Sequence, residues 1–216
     1  MPPLNELLNL EASPLANNVI LAFLMIGFLK VAHRLRVSSY LSLVALQLFH
    51  PLFSTSDWSW IINTVPSASL LLQMLVFGSD LETNVSGAIQ WCVLQVYLGL
   101  ARFLSVESCV VSAAIGLGDG ILAPAVGRKY GRHVYQMPWA SPKTIEGSVG
   151  VWLGTCFGAF FLMQVMGLPL IPLRVMLTHG GLAAVIEGTA PSYIDNFAVA
   201  AVLLLSMNQI HDYLEG

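Results

Sequence analysis

Along this chain, polar residues are rare interruptions in long apolar blocks, and the blocks are too long to be strands. Crossing a bilayer core of about 30 Å as a helix takes roughly 20 mostly apolar residues. Eight blocks approach that length, at residues 15–32, 38–53, 60–78, 86–104, 106–126, 147–168, 171–189 and 196–211. The pattern predicts an all-α, polytopic integral membrane protein with about eight transmembrane helices, seven being the alternative count. Nothing resembles a long linker, an internal repeat or a low-complexity tract. Residues 1–216 therefore read as a single integral membrane domain.

Composition agrees with the pattern. Hydrophobic residues make up 56% of the chain and charged residues 10%, against about 25% charged in an average soluble protein. The mean hydropathy is +0.74. The net charge of −3 says little about partners, because here the placement of charge matters more than its sum. No basic stripe with interleaved aromatics points to nucleic acid. Cys92, Cys109 and Cys156 fall inside predicted spans without metal-ligand spacing, so they read as small buried apolar residues. The amino-terminal stretch carries Glu6 and Glu11 and no basic run, so neither a cleaved signal peptide nor an Arg-rich transit peptide is expected.

Short loops rich in Lys and Arg stay cytoplasmic. Lys30, His33, Arg34 and Arg36 follow the first block and place its end on that side. Alternating spans then put the turn with Asp57, Trp58 and Trp60 on the far side. Segment 78–86 (with Asp80 and Glu82), basic loop 127–146 and turn 187–196 fall on the cytoplasmic side. Arg102, Glu107, Arg174 and both termini fall opposite.

The chemistry is concentrated between residues 118 and 148, which hold four of the nine Lys and Arg residues: Arg128, Lys129, Arg132 and Lys143. Polar groups gathered in an apolar chain mark a ligand site, here one suited to a polyanion. In Gly118-Asp119-Gly120 the glycines permit close approach of backbone or ligand. Asp119 is either a magnesium ligand or catalytic acid/base, or else a helix cap or a partner of Arg128. Gly127, Arg128, Lys129, Tyr130, Gly131 and Arg132 form a basic turn bounded by glycines. It either holds phosphate oxygens or anchors the chain to anionic headgroups. No Walker A loop occurs. In the stretch from Ser141 to Ser148, Pro142 ends an extended piece and Thr144 can cap the next helix. That helix start, with Lys143 beside it, suits phosphate, while Glu146 can reach a metal or simply complement the helix dipole. Glu187, Asp195 and Asn196 add hard oxygen ligands that suit Mg²⁺, with a capped helix start at Asp195 as the structural alternative. His179 sits alone in an apolar run and reads as a packed, hydrogen-bonded side chain; His33 and His50 are weaker candidates. No nucleophile elbow, zinc-protease motif or paired-Cys motif is present.

Taken in order, Gly118-Asp119-Gly120, the 127–132 and 141–148 motifs, and Glu187 followed by Asp195-Asn196 resemble the CTP-dependent lipid alcohol kinases. These include dolichol kinase, phytol and farnesol kinases and the yeast-type diacylglycerol kinase. The resemblance covers about residues 75–205. Phosphatidate cytidylyltransferases share related elements, but their His-Gly-Gly is followed by an Asp-Arg pair. Here His179-Gly180-Gly181 runs into Leu182-Ala183-Ala184. The kinases often carry Pro where this chain has Ala200, and their early basic element has no equivalent here.

The resemblance implies transfer of the γ-phosphoryl group of CTP to the hydroxyl of a membrane lipid alcohol, with Mg²⁺ as cofactor. Gly118, Gly120, Gly127, Arg128, Lys129, Gly131, Arg132, Lys143 and Thr144 are then expected at the nucleotide. Asp119, Glu146, Asp195 and Asn196 are expected at the metal, and Asp119, Glu187 and Lys143 in catalysis, with Asp119 or Glu187 as base. Cytidylyl transfer to phosphatidate is one alternative, and a non-catalytic membrane subunit or transporter on the same scaffold is another. The endoplasmic reticulum is the expected membrane, ahead of a plastid, with the active site facing the cytoplasm. Oligomeric state is left open, with a homodimer among the options.

Overall fold

The computed structural model describes residues 16, 19–20, 22–27, 30, 60–77, 85–101 and 105–215. The expected span 38–53, part of 15–32, the charged residues Arg34, Arg36, Asp57, Asp80 and Glu82, and the candidates His33 and His50 lie outside the described residues. The chain divides into two compact units, Met1–Phe103 and Leu104–Gly216.

The first unit holds α1 (Trp60–Phe77) and α2 (Val85–Ala101), which pack on each other. Pro66 lies inside α1. In α2, Trp91, Cys92, Leu94 and Leu98 are buried, as are the amides of Gln90 and Gln95.

The second unit begins with α3 (Val106–Ser112), capped by Ser105, whose hydroxyl oxygen accepts from Ser108 N at 3.0 Å. It continues without a break into a π-helical segment, Ala113–Leu122, and then α4 (Ala123–Tyr130). Runs of π-helix this long are rare and recur at functional sites. Pro124 is the second residue of α4, just past the segment. Proline has no N–H and its ring clashes with the carbonyl four residues back, so a widened turn ahead of it lets the helix continue. Asp119 thus lies mid-helix, more than two turns short of Tyr130, rather than near a span end. Residues 127–130 are the last turn of a helix rather than a free basic turn, and Gly131 closes it.

A short antiparallel hairpin follows, β1 (Val134–Tyr135) and β2 (Lys143–Thr144), with Val134 opposite Thr144 and Tyr135 opposite Lys143. It is the one departure from an all-helical chain among the described residues. Then come α5 (Ile145–Met166), α6 (Leu173–Thr189) and α7 (Asp195–Glu215). Thr144 caps α5 as expected, its hydroxyl oxygen accepting from Gly147 N at 3.0 Å. Gly167, at φ +66°, ends α5 in the left-handed conformation that glycine adopts without strain.

Among the described residues, two helices are long and apolar enough to cross a membrane, Val106–Tyr130 and Ile145–Met166. They pack closely through small residues. A Cβ on Gly154 would stand 2.6 Å from Gly118 Cα, and one on Gly150 would stand 2.9 Å from Leu122 O. Farther along, a Cβ on Gly158 would meet Ala113 Cβ at 2.8 Å. Between helices in lipid, small residues that admit backbone contact replace the hydrophobic drive that water would supply.

Gly154→Val should therefore lower stability by about 1–3 kcal/mol through overpacking. Phe157→Ala, at a side chain 68% exposed, should change it by less than about 0.5 kcal/mol. Unfolding midpoints in one detergent compare the two.

Candidate functional site

Three helices and the hairpin bring four charged residues together. Asp119 comes from the π-helical segment, Lys143 from β2, Glu187 from the last turns of α6, and Asp195 from the first residue of α7. The Lys143 ammonium donates to the Glu187 carboxylate and to the Glu187 carbonyl oxygen, the latter at 2.5 Å. It stands 3.6 Å from Asp195 Oδ2. Asp119, half-buried, faces Glu187, Asp195 and Lys143, within side-chain hydrogen-bond reach of Glu187. Asp195, the first residue of its helix, also accepts from the N–H of Asn196 at 3.0 Å through Oδ1.

Burial works against a charge on Lys143, but Glu187 first, then Asp195 and Asp119, outweigh it. The ammonium is held above the ordinary lysine value and stays charged at physiological pH.

The hairpin that carries Lys143 is strapped to the turn between α6 and α7. Trp139 Nε1 donates to Thr189 O at 2.8 Å, Ser141 N donates to Ser192 Oγ at 3.0 Å, and the two serine hydroxyls are 2.9 Å apart. Tyr135 Oη lies 2.6 Å from Ser148 Oγ and packs against Gly188, where a Cβ would collide with it. At the other end, Glu146 accepts from His133 N at 3.3 Å and lies 2.7 Å from His133 Nδ1.

The expected site residues separate into groups. Asp119, Lys143, Glu187 and Asp195 converge, and buried Asn196 adjoins them. Glu146, expected at the metal, is engaged by His133 and is not among the groups acting on Asp119, Lys143 or Asp195. Gly127 and Gly131 serve packing: Thr144 sits against both, 3.0 Å from a Cβ placed on Gly127. Gly118 and Gly120 belong to the π-helical segment, Gly118 backing onto Val151 and Thr155. Arg128, Lys129 and Arg132 are exposed on the turn that this packing holds next to Thr144. Arg128 Nε donates to Pro124 O at 3.2 Å, and Lys129 lies 5.2 Å from the ring centre of Tyr130. Among the described residues, none of the three side chains forms an ion pair, although the backbone N–H of Arg132 is bonded to the Glu146 carboxylate. At the start of α5, Ile145 N donates to His133 O and Gly147 N to Thr144, so two of its first N–H groups are already taken.

Sequence reasoning passed over His133, Tyr135, Trp139 and Ser192 as elements of the site. The alternation across 133–135 and 143–144, with Pro138 and Pro142 between, was the available signal for a hairpin.

Hard carboxylate oxygens suit Mg²⁺ in kind. Among the described residues no three His, Cys, Asp or Glu side chains form a ready-made cage.

No protein-family model, curated protein or solved structure matches the chain.

Lys143 is the counter-charge on which the cluster rests. Lys143→Met should cost about 2–4 kcal/mol, somewhat under a fully buried pair because 14% of the lysine side chain stays exposed. The double variant Lys143→Met/Glu187→Gln should recover part of that loss. Equal unfolding midpoints for the single and double variants would show that the charge pairing contributes nothing.

Proposed function

We propose that the chain is a membrane-embedded phosphotransferase that moves the γ-phosphoryl group of a nucleoside triphosphate, CTP by resemblance, onto the hydroxyl of a lipid alcohol. The observation that carries this reading is the carboxylate cluster around Lys143, set beside an exposed basic turn whose side chains form no ion pair among the described residues. Phosphoryl transfer asks a protein for positioning and charge neutralisation more than for covalent chemistry. Arg128 and Arg132 offer planar donors that bind phosphate oxygens bidentately, and Lys129 adds a point charge.

In this reaction the alcohol oxygen forms a bond to the γ-phosphorus as the bond to the β-phosphate oxygen breaks. CDP leaves, and the hydroxyl proton passes to Asp119 or Glu187. Asp119, Glu187 and Asp195 would hold Mg²⁺, which supplies neutralisation of the phosphate charge when bound. Lys143 keeps the three carboxylates together. The lipid tail would lie among the apolar helices, away from the hairpin. On this reading the chain is polytopic, sits in the endoplasmic reticulum and turns the hairpin end of its helices to the cytoplasm.

The test is incubation of purified protein in liposomes with Mg²⁺ and γ-labelled CTP or ATP, offering phytol, farnesol, dolichol and diacylglycerol. Label is expected in one lipid, with CTP preferred and CDP released. Asp119→Asn should lower the rate by at least about a hundredfold, the scale of a lost general base, while the melting temperature holds. Pyrophosphate released with phosphatidate as acceptor would move the assignment to cytidylyl transfer. No product from either reaction would leave a binding or scaffold role.

A further inference from the structure

Tyr135 stands between the two pieces of backbone that form the Lys143–Glu187 pair. It lies opposite Lys143 in the hairpin, so the two side chains leave the same face of the ribbon. The edge of its ring fills the space beside Gly188. A Cβ built on Gly188 would stand 3.3 Å from Tyr135 Cζ and closer still to Oη. Gly188 lies within α6 and does not adopt the left-handed conformation. A glycine inside a helix is unfavourable relative to alanine. Its presence here answers to space, and Tyr135 occupies that space.

The seat of the Lys143 ammonium belongs to the same turn of α6. The Glu187 carbonyl would ordinarily accept from the N–H four residues on, but that residue is Pro191, which has none. Lys143 Nζ takes the orphaned oxygen at 2.5 Å and donates to the Glu187 carboxylate as well. A cation at this point also meets the negative end of the helix dipole. Lys143 is therefore held twice by one residue, and Gly188 is the next residue in the chain.

The phenol hydroxyl ties the ring down on its other side. Ser148 donates to Thr144 O at 3.3 Å. Its hydrogen is thereby committed, so in the 2.6 Å contact between Tyr135 and Ser148 the phenol is the donor. Thr144 directly follows Lys143. Contacts thus run from Gly188, beside Glu187, through Tyr135 and Ser148 to Thr144, beside Lys143.

We propose that Tyr135 is a positioning residue: its ring, seated on Gly188 and tied to Ser148, sets the separation between β2 and the end of α6 at which the Lys143 ammonium meets both Glu187 acceptors. On the kinase reading this holds the pair in place for phosphoryl transfer. The positioning itself does not depend on that reading.

The experiment uses the full chain in liposomes, labelled with ¹⁵Nζ-lysine and with glutamate ¹³C-labelled at the main-chain carbonyl. Nitrogen–carbon dipolar dephasing is measured by solid-state NMR, and the signal of the pair is identified by its loss in Lys143→Arg. Wild type should show the dephasing, and so should Tyr135→Phe, which keeps the ring on Gly188. Tyr135→Ala should lose it, as should Gly188→Ala, whose added Cβ drives the ring away. The double variant Tyr135→Phe/Gly188→Ala should regain it, because removing the hydroxyl removes the closest collision. A side chain that only filled space would change the melting temperatures of these variants and leave the dephasing as it is. Dephasing absent from the wild type, retained in Tyr135→Ala or Gly188→Ala, or not regained in the double variant would overturn the proposal. Turnover gives a second arm that rests on the kinase reading. Gly188→Ala should lower kcat about a hundredfold at unchanged KM for the alcohol, the scale of a misplaced group, and the double variant should recover it. No turnover in any form, alongside the expected dephasing pattern, would sink the kinase reading and leave the positioning role standing.

Discussion

The arrangement of the second unit depends on one positive charge. Asp119, Glu187 and Asp195 come from three helices, and three carboxylates gathered in a half-buried space repel one another and lose hydration. Lys143 makes their convergence tolerable, and it reaches them because the hairpin delivers it. The contacts that strap the hairpin down, Trp139 to Thr189 and Ser141 to Ser192, fix the backbone from which Lys143 extends. The same hairpin is closed at its base by His133 and Glu146. A carboxylate that the motif suggested for a metal thus helps to position the lysine.

A second constraint sets how deep the cluster reaches. Asp119 lies mid-helix, where a charge is expensive in an apolar surrounding. It is placed there by a π-helical segment whose glycine face meets the glycines of α5 backbone to backbone. A side chain larger than hydrogen at Gly118 or Gly154 would push the two helices apart and change where Asp119 points. The small-residue contact and the charged cluster are consequently one design: close packing supplies the position, and Lys143 supplies the compensation.

Much of the helical layout was legible in the sequence, because a long apolar block has few alternatives to a helix. The bounds expected at 60–78, 86–104, 147–168 and 171–189 fall close to α1, α2, α5 and α6. The cap at Thr144 was legible as well, since the hydroxyl stands three residues before the glycine whose N–H it accepts. The π-helical segment was not, because it answers to Pro124 and to the neighbouring helix rather than to a local period. Nor was the split between Glu146 and the other carboxylates. Spacing along a chain says which charged residues are near a loop, and only folding says which of them face one another. Gly127 and Gly131 show the same limit: glycines beside arginines suggest a phosphate loop, yet Thr144 occupies the space they leave.

The charge balance gives the kinase reading its internal logic. With one ammonium among three carboxyl groups, the cluster holds more acidic than basic groups, while the side chains of Arg128, Lys129 and Arg132 are exposed and form no ion pair among the described residues. On the proposed reading, a ligand would carry a cation toward the carboxylates and anionic oxygens toward the arginines. A nucleoside triphosphate with Mg²⁺ has that polarity, and a neutral lipid or a lone divalent cation does not. Thr144, packed against Gly127 and Gly131, ties the basic turn to the strand that carries Lys143, so the exposed cations and the carboxylate cluster are joined through one short piece of backbone.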